Sequence, residues 1–297
     1  MDDIQKLTLA GDGAPLETGA SSFGKKICQC KQQGVYHCKC PRSYTDPKAN
    51  WGWDSYHERW FYGHTLYCLS AANSFNDLPL LIHLTQASAH DSITFVQAYA
   101  QLRSALPAFK FESILLDSAH DAYAIYQMLN MHEIEPFIDL NERNKKDNAS
   151  EEIDHNGIPV CQADLKMINW GLHQKRQRIK WRCPKYKDPA SCPHQQNCSA
   201  SKYGRVVYTR PENDYRLFTN TPRGSKAWKK VFARRTSVER TLKRILVDYR
   251  IERARARSDK RWFFIATMAA LNQHLDAQTK SAENSLLKRL GLLKQAA

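Results

Sequence analysis

Two long apolar runs separated by a short polar stretch constrain the fold more than any other feature of this sequence. They span residues 62–71 and 78–85, and the residues between them favour a turn, namely Asn73, Ser74, Asn76 and Asp77. Each run is long enough for a strand, and their connection is short enough for a hairpin. The sequence therefore predicts an antiparallel β-hairpin. A further strand over residues 6–13 precedes it and ends at the turn dipeptide Asp12-Gly13.

After the hairpin, the patterns typical of helices and strands alternate. Residues 92–106 carry apolar side chains at helical spacing, namely Ile93, Val96, Tyr99 and Ala100. Residues 111–116 form a short apolar strand ending at Asp117, residues 119–131 a helix, and residues 134–138 another strand. Ser118 and Asp121 resemble a capping box at the start of that helix. A meander followed by strand–helix–strand units predicts an α/β fold with a mixed sheet flanked by helices.

The pattern divides the chain into three segments. Residues 1–143 hold the strands and helices already described. In residues 144–222 the periodicity weakens while Cys, Pro, Trp and Lys become frequent, which predicts a small inserted module. Residues 223–297 return to helical spacing, with one helix over about 225–250 and an apolar helix over 261–275. We expect these C-terminal helices to complete the domain that the first segment begins.

The formal net charge of +14 favours a polyanionic partner such as nucleic acid. An ordinary basic enzyme is the alternative, but Lys and Arg are concentrated in residues 223–261, where acids are scarce. No apolar run of about 18 residues and no signal-peptide pattern is present, so we expect no membrane partner and a location in the bacterial or archaeal cytoplasm, at the nucleoid when DNA is bound. In a reducing cytosol, the nine cysteines are better explained as metal ligands or buried thiols than as disulfides.

Three acidic residues stand at positions suited to catalysis. Asp12 and Asp117 are expected at strand ends, where ligands of α/β sheets gather, and Glu239 lies in a predicted helix. Each also has a simpler explanation: a plain turn for Asp12, a helix cap for Asp117, and i,i+4 ion pairs for Glu239. If the three carboxylates converge they require a cation, and oxygen ligands suit Mg²⁺ or Mn²⁺. Two such ions can activate the attacking oxygen and stabilise the leaving oxygen of a phosphodiester.

The residues around these acids resemble a known family. Gly-Asp12-Gly, Leu-Leu-Asp117-Ser-Ala-His-Asp and Arg-Thr-Ser-Val-Glu239-Arg are similar, in this order, to the three motifs of insertion-sequence DDE transposases with an RNase H-like (retroviral-integrase-like) catalytic domain. Other stretches similar to those of such transposases are Trp51-Gly-Trp-Asp-Ser-Tyr56, Tyr62-Gly-His64 and Ser201-Lys-Tyr-Gly-Arg205. The resemblance extends from about residue 7 to residue 275. It implies an RNase H-like mixed sheet flanked by helices, with a cysteine-containing insertion between the second Asp and the Glu.

The resemblance also implies roles for individual residues. The three acids would be catalytic and would bind Mg²⁺ or Mn²⁺. Arg235, one helical turn before Glu239, matches the arginine of the family's tyrosine–arginine–glutamate–lysine signature and would contact DNA phosphate. Phe232 occupies the tyrosine position of that signature and Leu246 its lysine position, so the chain departs from the signature at both. The same basic helix carries further expected DNA contacts, namely Arg234, Arg240, Lys243 and Arg244.

The implied activity is metal-dependent DNA transposition without a covalent enzyme intermediate. Water attacks the phosphodiester at the transposon end, and the freed 3′-OH then attacks target DNA. The expected partners are the terminal inverted repeats, target DNA and, in the DNA complex, a second copy of the chain or more. Because Asp12 lies so close to Met1, a truncated, catalytically inactive transposase-derived DNA-binding protein is the alternative. An RNase H-like repair nuclease would share the acids, but it would have no evident use for a basic cysteine-containing insertion.

Four cysteines of the predicted insertion are candidate zinc ligands, namely Cys161, Cys183, Cys192 and Cys198. A tetrahedral structural Zn²⁺ needs four such ligands. Three of the four lie among polar residues rather than in an apolar run, and His194 lies between the last two. Their spacing is irregular and lacks the paired CxxC of a zinc ribbon, so ordinary free cysteines remain the alternative.

A second group of cysteines lies in the cysteine-rich loop over residues 24–50. Cys28-x-Cys30 and Cys38-x-Cys40 could meet across a hairpin and bind a metal, but we favour a reduced, solvent-exposed loop. Cys68, in an apolar run, is expected in the core.

Six side chains near the motifs have both a structural and a functional explanation. For His120 and Asp121 we favour helix capping over catalysis, and for His64 a structural role. The aromatic residues Trp51, Trp53 and Tyr56 could stack on a DNA base, but we favour packing.

Overall fold

The computed structural model describes residues 6–74, 76–141, 152–186, 192, 198–199, 201 and 203–289, with side chains of the last helix described to residue 281. The start of the predicted insertion, residues 144–151, and His194 lie outside the described residues. The strands are β1 (Leu7–Glu17), β2 (Lys25–Lys26), β3 (Arg42–Ser43), β4 (Asn50–Asp54), β5 (Arg59–Ala71), β6 (Pro79–Gln86), β7 (Phe111–Leu116), β8 (Glu135–Ile138), β9 (Ile168–His173), β10 (Arg178–Arg182) and β11 (Val206–Thr209). The α-helices are α1 (Asp91–Ala105), α2 (Tyr123–Met131), α3 (Lys226–Phe232), α4 (Thr236–Lys243) and α5 (Asp259–Arg289).

The chain divides into two compact units, one of which combines Leu9–Ala108 with Thr236–Ala297. Its central strand β5 pairs antiparallel with β1, β4 and β6. The β5–β6 pairing confirms the hairpin predicted from the two apolar runs. Every residue of β5 from Gly63 to Ala71 is buried, as expected for a strand with neighbours on both sides.

The first strand, β1, extends further than the sequence predicts. It does not end at Asp12-Gly13 but continues to Glu17, with Asp12 opposite Cys68 of β5. The turn preference of Asp-Gly is local, and continuous pairing with β5 overrides it. The prediction that Asp12 stands at a strand end was therefore wrong, because Asp12 lies within the strand.

Helix α1 confirms the helix predicted over residues 92–106, and only some of its apolar residues are buried. The buried residues are Thr94, Phe95, Ala98, Tyr99 and Leu102. Ile93 and Val96, two of the apolar residues whose spacing predicts the helix, are 60% and 40% exposed. The helix therefore has apolar side chains on two sides. The side with the larger side chains, Phe95, Tyr99 and Leu102, is the one buried in the protein.

Gly63 lies where β5 and β1 approach each other closely. A Cβ atom added at Gly63 would lie 2.0 Å from the carbonyl oxygen of Leu16 and 2.9 Å from the backbone nitrogen of Thr18. Because both neighbours are backbone atoms, the clash can be relieved only if the paired strands move apart and lose hydrogen bonds. We expect Gly63→Ala to lower the free energy of unfolding by about 3 kcal/mol, measured by urea unfolding.

The matched control for Gly63→Ala is Gly13→Ala in the paired strand. There an added Cβ would contact only side-chain atoms, with Asp91 and Thr65 nearest at 3.0 Å, and side chains can adjust. Equal losses of stability in the two variants would contradict the backbone explanation.

The other unit combines Met1–Thr8 with Phe109–Arg235, and its described part begins at residue 6. Its strands β7 and β8 are parallel, with Leu116 opposite Ile138. Helix α2 connects them, which is the strand–helix–strand unit that the sequence predicts. The carboxyl ends of the two strands therefore lie side by side.

Helix α2 begins later than predicted. Ser118–His120 form a separate 3₁₀ turn capped by Asp117, and the α-helix itself starts at Tyr123. The capping box predicted from Ser118 and Asp121 was wrong, because the Asp121 carboxylate bonds to other partners.

Within the predicted insertion, a three-stranded antiparallel sheet has the order β11–β10–β9. Met167, Ile179 and Trp181 form a small buried cluster on it. The indole N–H of Trp181 donates a hydrogen bond to the hydroxyl of Thr209 (2.8 Å). This segment therefore has a core of its own, as expected for a small module, and its status as an insertion stays a prediction.

The helix predicted over residues 225–250 is interrupted. It consists of α3, a 3₁₀ turn (Ala233–Arg235), α4 and a π-helical turn (Arg244–Asp248). Helix α5, by contrast, is longer than the predicted segment 261–275 and reaches Arg289. Only the apolar part of α5 gives a sequence signal, since its later turns are polar.

The antiparallel strands and the parallel β7–β8 pair give a mixed sheet, and with the helices a mixed α/β fold. This arrangement is consistent with the RNase H-like architecture expected from the sequence. Among the described residues, no helix combines the length and the apolar character that crossing a membrane requires.

Candidate active site

Asp117 follows β7 and combines one anchored carboxylate oxygen with one available oxygen. Its Oδ1 accepts hydrogen bonds from the backbone N–H of Ala119 (3.1 Å) and from Nδ1 of His120 (2.6 Å). No described residue hydrogen-bonds to Oδ2, and the side chain is 38% exposed. A carboxylate oriented by a buried histidine, with a second oxygen open to a ligand, is an arrangement suited to metal binding.

The environment of Asp117 keeps its carboxylate ionised. Partial burial by itself raises the pKa of Asp117, but the hydrogen bond and electrostatic attraction of His120 outweigh it. The Ala119 N–H and the charge of Arg235 add to this effect, so the pKa lies below its ordinary value. Metal binding requires a deprotonated carboxylate, and Asp117 meets that condition at neutral pH.

Asp121, four residues later, is buried and fully engaged. It accepts hydrogen bonds from Nε and Nη2 of Arg216 at 2.8 and 2.6 Å, from the hydroxyl of Tyr126 at 3.0 Å and from the backbone N–H of Asn141 at 2.7 Å. The structural role favoured from the sequence is supported, but Asp121 is the centre of an ion pair rather than a helix cap. His120 likewise orients Asp117 rather than capping α2.

Asp139 is an acid near Asp117 that was not predicted as a site residue from the sequence. It directly follows β8, the parallel neighbour of β7. The pKa of Asp139 is raised, mainly because the carboxyl group is partly removed from water. The negative charges of Asp117 and Asp121 raise this pKa further, whereas the positive charges of Arg223 and Arg235 lower it without cancelling the shift. An acid directly after the second of two parallel strands was the signal that could have identified it.

Asp12 belongs to the unit containing Leu9–Ala108, where it is partly buried on β1. Its Oδ1 accepts a hydrogen bond from the backbone N–H of Gly13 (2.8 Å). Burial raises the pKa of the Cys68 thiol, and the charge of Asp12 raises it further, whereas Arg244 opposes the shift. Asp12 is thus a negative charge within a strand, close enough to influence Cys68.

Glu239 belongs to the same unit as Asp12 and lies on the exposed side of α4. The opposite side anchors the helix, because Val238 and Leu242 are only 0% and 5% exposed. The π-helical turn Arg244–Asp248 follows α4, and such turns are frequent near functional sites. Asp117 lies in the other unit.

Two arginines predicted to bind DNA have partners within their own unit. Arg240 donates from Nε to Asp77 Oδ2 (2.7 Å), and Arg244 donates from Nη1 to the carbonyl of Asn76 (2.7 Å). These bonds attach α4 and the turn after it to the β5–β6 connection.

The other predicted DNA-binding residues have a different setting. Arg234 and Lys243 are exposed, whereas Arg235 is half-buried. The charge of Arg235 contributes to lowering the pKa of Asp117. An arginine whose charge acts on Asp117 suits the signature arginine expected from the sequence.

An exposed aromatic surface covers part of β4, β5 and the turn between them. Trp51, Trp53, Tyr56 and Trp60 are 48%, 52%, 89% and 64% exposed. Trp53 and Trp60 are paired across the strands, with ring centroids 5.4 Å apart in an edge-to-face arrangement. The favoured prediction for Trp51, Trp53 and Tyr56 was packing. Trp51 packs against Tyr62, and Trp53 against Trp60, but these rings and Tyr56 remain largely exposed to solvent.

Four cysteines of the 24–50 loop come together, namely Cys28, Cys30, Cys38 and Cys40, with all four Sγ atoms within 4.8 Å of one another. In the part of the chain that the structure describes, no other group of three or more His, Cys, Asp or Glu ligand atoms is this compact. The backbone N–H of Cys30 and the thiol of Cys38 lower the pKa of the Cys28 thiol to about 7, and hydrogen bonding to Cys40 and Cys28 raises the pKa of Cys30 to about 12. The four thiols, which the sequence places in a solvent-exposed loop, are thus free and clustered.

The remaining cysteines are placed separately. Cys161 and Cys183 are buried, whereas Cys192 and Cys198 are half-buried, and a zinc site formed by these four stays a prediction. Cys68 is fully buried in the core, as predicted. His64 is also buried, with Nε2 bonded to Asp46 Oδ2 at 2.9 Å, which supports its structural role.

Comparison with protein families gives a match over most of the chain. The family described as "Transposase DDE domain" matches residues 26–272. The matched segment contains Asp117 and Glu239, whereas Asp12 precedes it. A comparison with curated proteins gave no match. Because the family match covers far more than half of its length, the chain belongs to the transposase DDE domain family.

Proposed function

We propose that this chain is a transposase that cuts DNA at the ends of an insertion sequence and joins the ends to target DNA, with Asp12, Asp117 and Glu239 as its catalytic, metal-binding carboxylates. Family membership supports the general role, and the residue assignment rests on the motifs. The observation that carries the proposal is the state of Asp117. One of its oxygens is anchored by Ala119 and His120, the other bonds to no described residue, and its pKa is lowered.

The donor chemistry fits Mg²⁺ or Mn²⁺, which prefer carboxylate oxygens. When bound, such ions supply charge stabilisation to the attacking and leaving oxygens of a phosphodiester. The fully buried ring of His120 fixes the orientation of the Asp117 carboxylate. Arg235 adds positive charge close to Asp117, which favours both the ionised carboxylate and a DNA phosphate nearby.

The proposed reaction has two steps. Water first attacks the phosphodiester at the transposon end, which leaves a 3′-OH on the transposon strand. That hydroxyl then attacks a phosphodiester of target DNA, so one bond is made as another is broken and no enzyme-linked intermediate forms. The role of the protein is to hold the reacting groups in position.

We assign contact with the DNA backbone to Arg234, Arg235 and Lys243. Arg240 and Arg244 would act indirectly, because their bonds to Asp77 and Asn76 hold α4 and the turn after it in place. The exposed aromatic surface of β4 and β5 is suited to stacking on an unpaired base near the transposon end. The net charge of +14 supports DNA as the partner.

The proposal extends to the working state of the protein. Two transposon ends must be handled together, which favours a homodimer or a larger assembly on the DNA. We also propose that the protein acts in the cytoplasm of a bacterium or archaeon, at the nucleoid when bound to DNA.

A cleavage assay tests the proposed function. The substrate is labelled DNA carrying the inverted repeats that flank the reading frame, and the control is DNA with the same composition and a scrambled repeat. We expect Mg²⁺-dependent cutting at the end of the repeat, no cutting in EDTA, and no site-specific cutting of the scrambled DNA.

Two results would support other functions. Salt-sensitive DNA binding without cleavage at any Mg²⁺ or Mn²⁺ concentration would favour a non-catalytic DNA-binding protein. Cutting without preference for the repeat, and without joining to target DNA, would favour a nuclease.

A further inference from the structure

The cysteine-rich hairpin over residues 25–45 has no apolar interior of its own. Within this stretch every residue is exposed except Cys28, Cys30, Cys38 and Cys40, which are half-buried against one another. Even its larger apolar side chains are exposed, with Ile27, Val35 and Tyr36 at 67%, 49% and 62%. A segment without a hydrophobic core requires another source of order, and in small modules a metal ion or disulfides supply it.

The backbone brings the two cysteine pairs face to face. Strands β2 and β3 pair at the base of the hairpin, with Lys25 opposite Ser43. At its tip, the backbone N–H of Val35 donates to the carbonyl of Cys30 (2.8 Å), and Gly34 adopts a positive φ of 79°. Lys26 donates from Nζ to the carbonyl of Tyr36. The turn between the two CxC pairs is therefore closed so that their sulfur atoms converge.

The distances between the sulfur atoms match a shared metal better than disulfides. Sγ of Cys28 lies 3.4 Å from Sγ of Cys38, and Sγ of Cys30 lies 3.6 Å from Sγ of Cys40. In a disulfide the two sulfurs would be about 2.05 Å apart. Four thiolates arranged tetrahedrally at about 2.3 Å from Zn²⁺ lie about 3.8 Å from one another. The observed separations are close to that value.

We propose that Cys28, Cys30, Cys38 and Cys40 form a tetrathiolate site that binds one Zn²⁺ and thereby orders the hairpin over residues 25–45. Four sulfur donors with no oxygen ligand suit Zn²⁺ rather than the Mg²⁺ or Mn²⁺ of the proposed catalytic site. All ligand positions of a tetrahedral ion are filled by protein, so the site is structural. This inference does not depend on the proposed transposase activity.

The zinc-ordered hairpin would present a basic surface. It carries five cationic side chains, namely Lys25, Lys26, Lys31, Lys39 and Arg42, and no acid occurs between Glu17 and Asp46. The same residues are trypsin cleavage positions, so the order of the hairpin can be followed by proteolysis.

Metal analysis of the purified full-length chain tests the site. The chain is prepared under reducing conditions, and the zinc content is measured by mass spectrometry for the wild type, the double variant Cys30→Ser/Cys40→Ser and the double variant Gln29→Ser/Lys39→Ser. The second variant is matched, because it places two serines in the same CxC pairs, at exposed positions, and keeps all four cysteines. We expect the first variant to lose one equivalent of zinc relative to the wild type, and the matched variant to keep that equivalent.

Limited trypsin digestion provides a readout of hairpin order that is independent of metal content. We expect zinc removal by a chelator to speed cleavage after Lys31 and Lys39 at least tenfold in the wild type, and to have no such effect in Cys30→Ser/Cys40→Ser, which is cut rapidly from the start. Re-addition of Zn²⁺ alone should restore protection in the wild type.

Three results would overturn the proposal. One is a wild type without bound zinc, and another is a Cys30→Ser/Cys40→Ser variant that retains the wild-type zinc content. The third is an intact mass, measured without reductant on freshly prepared protein, that shows disulfides between these cysteines instead of a bound ion.

Discussion

Replacing Asp117 with asparagine is expected to reduce Mg²⁺-dependent cleavage of transposon-end DNA by a thousandfold or more. The substitution removes the negative charge of a proposed metal ligand. A loss of about 4 kcal/mol in transition-state stabilisation corresponds to a rate reduction of about a thousandfold. The measurement is single-turnover cleavage of labelled repeat DNA at saturating protein, so that weaker DNA binding cannot account for the loss.

The fold should survive this substitution. The amide oxygen of asparagine can still accept the hydrogen bond of the Ala119 N–H, so the 3₁₀ turn after β7 keeps its cap. The side chain is partly exposed, so a neutral group is tolerated there. We expect a melting temperature within a few degrees of the wild type. Cleavage within tenfold of the wild-type rate would rule out Asp117 as an essential metal ligand.

Asp12→Asn and Glu239→Gln are expected to give losses similar to that of Asp117→Asn, because the proposal gives the three acids one shared function. Their surroundings differ: Asp12 is partly buried within β1, and Glu239 is exposed on α4. A shared loss of cleavage would thus reflect common chemistry rather than common packing. Loss with only one of the three would contradict the triad.

Much of the fold could be predicted because its signals are repeated along many residues. The β5–β6 hairpin and the β7–α2–β8 unit each depend on several apolar side chains in register, so no single residue decides them. Asp12-Gly13 shows the opposite case. The turn preference of Asp12-Gly13 is a property of only two residues. The antiparallel pairing of β1 with β5 involves many more residues, so the strand continues through this dipeptide.

The candidate site was predicted less completely, because contacts distant in sequence decide it. The partner of Asp121 is Arg216, which lies 95 residues away and has no recognisable spacing relationship to it. The cysteine spacing of the 24–50 loop did indicate two pairs that could meet. Whether they do meet depends on closure of the hairpin by β2 and β3, which are only two residues long and give no sequence signal.

Asp121→Asn is expected to have the opposite effect from Asp117→Asn, with a large loss of stability. The Asp121 carboxylate is buried and accepts two charge-assisted bonds from Arg216, whose side chain is 24% exposed. An asparagine would leave the guanidinium without a counter-ion and would point an N–H₂ donor at another donor. Removing one partner of a buried pair typically costs about 3–5 kcal/mol, and the partial exposure of Arg216 favours the lower value of about 3 kcal/mol.

The matched control for Asp121→Asn is Glu212→Gln, which removes the same charge from an exposed ion pair with Arg210. Those two side chains are 59% and 56% exposed, and such surface pairs contribute about 1 kcal/mol or less. Urea unfolding, followed by tryptophan fluorescence, should therefore separate the two variants by at least about 2 kcal/mol. Near-equal values would mean that Asp121 is not the stabilising centre of its unit. A stable but inactive Asp121→Asn variant would instead show that Asp121 serves the activity directly, since a carboxylate needed only for folding cannot lose activity without losing stability.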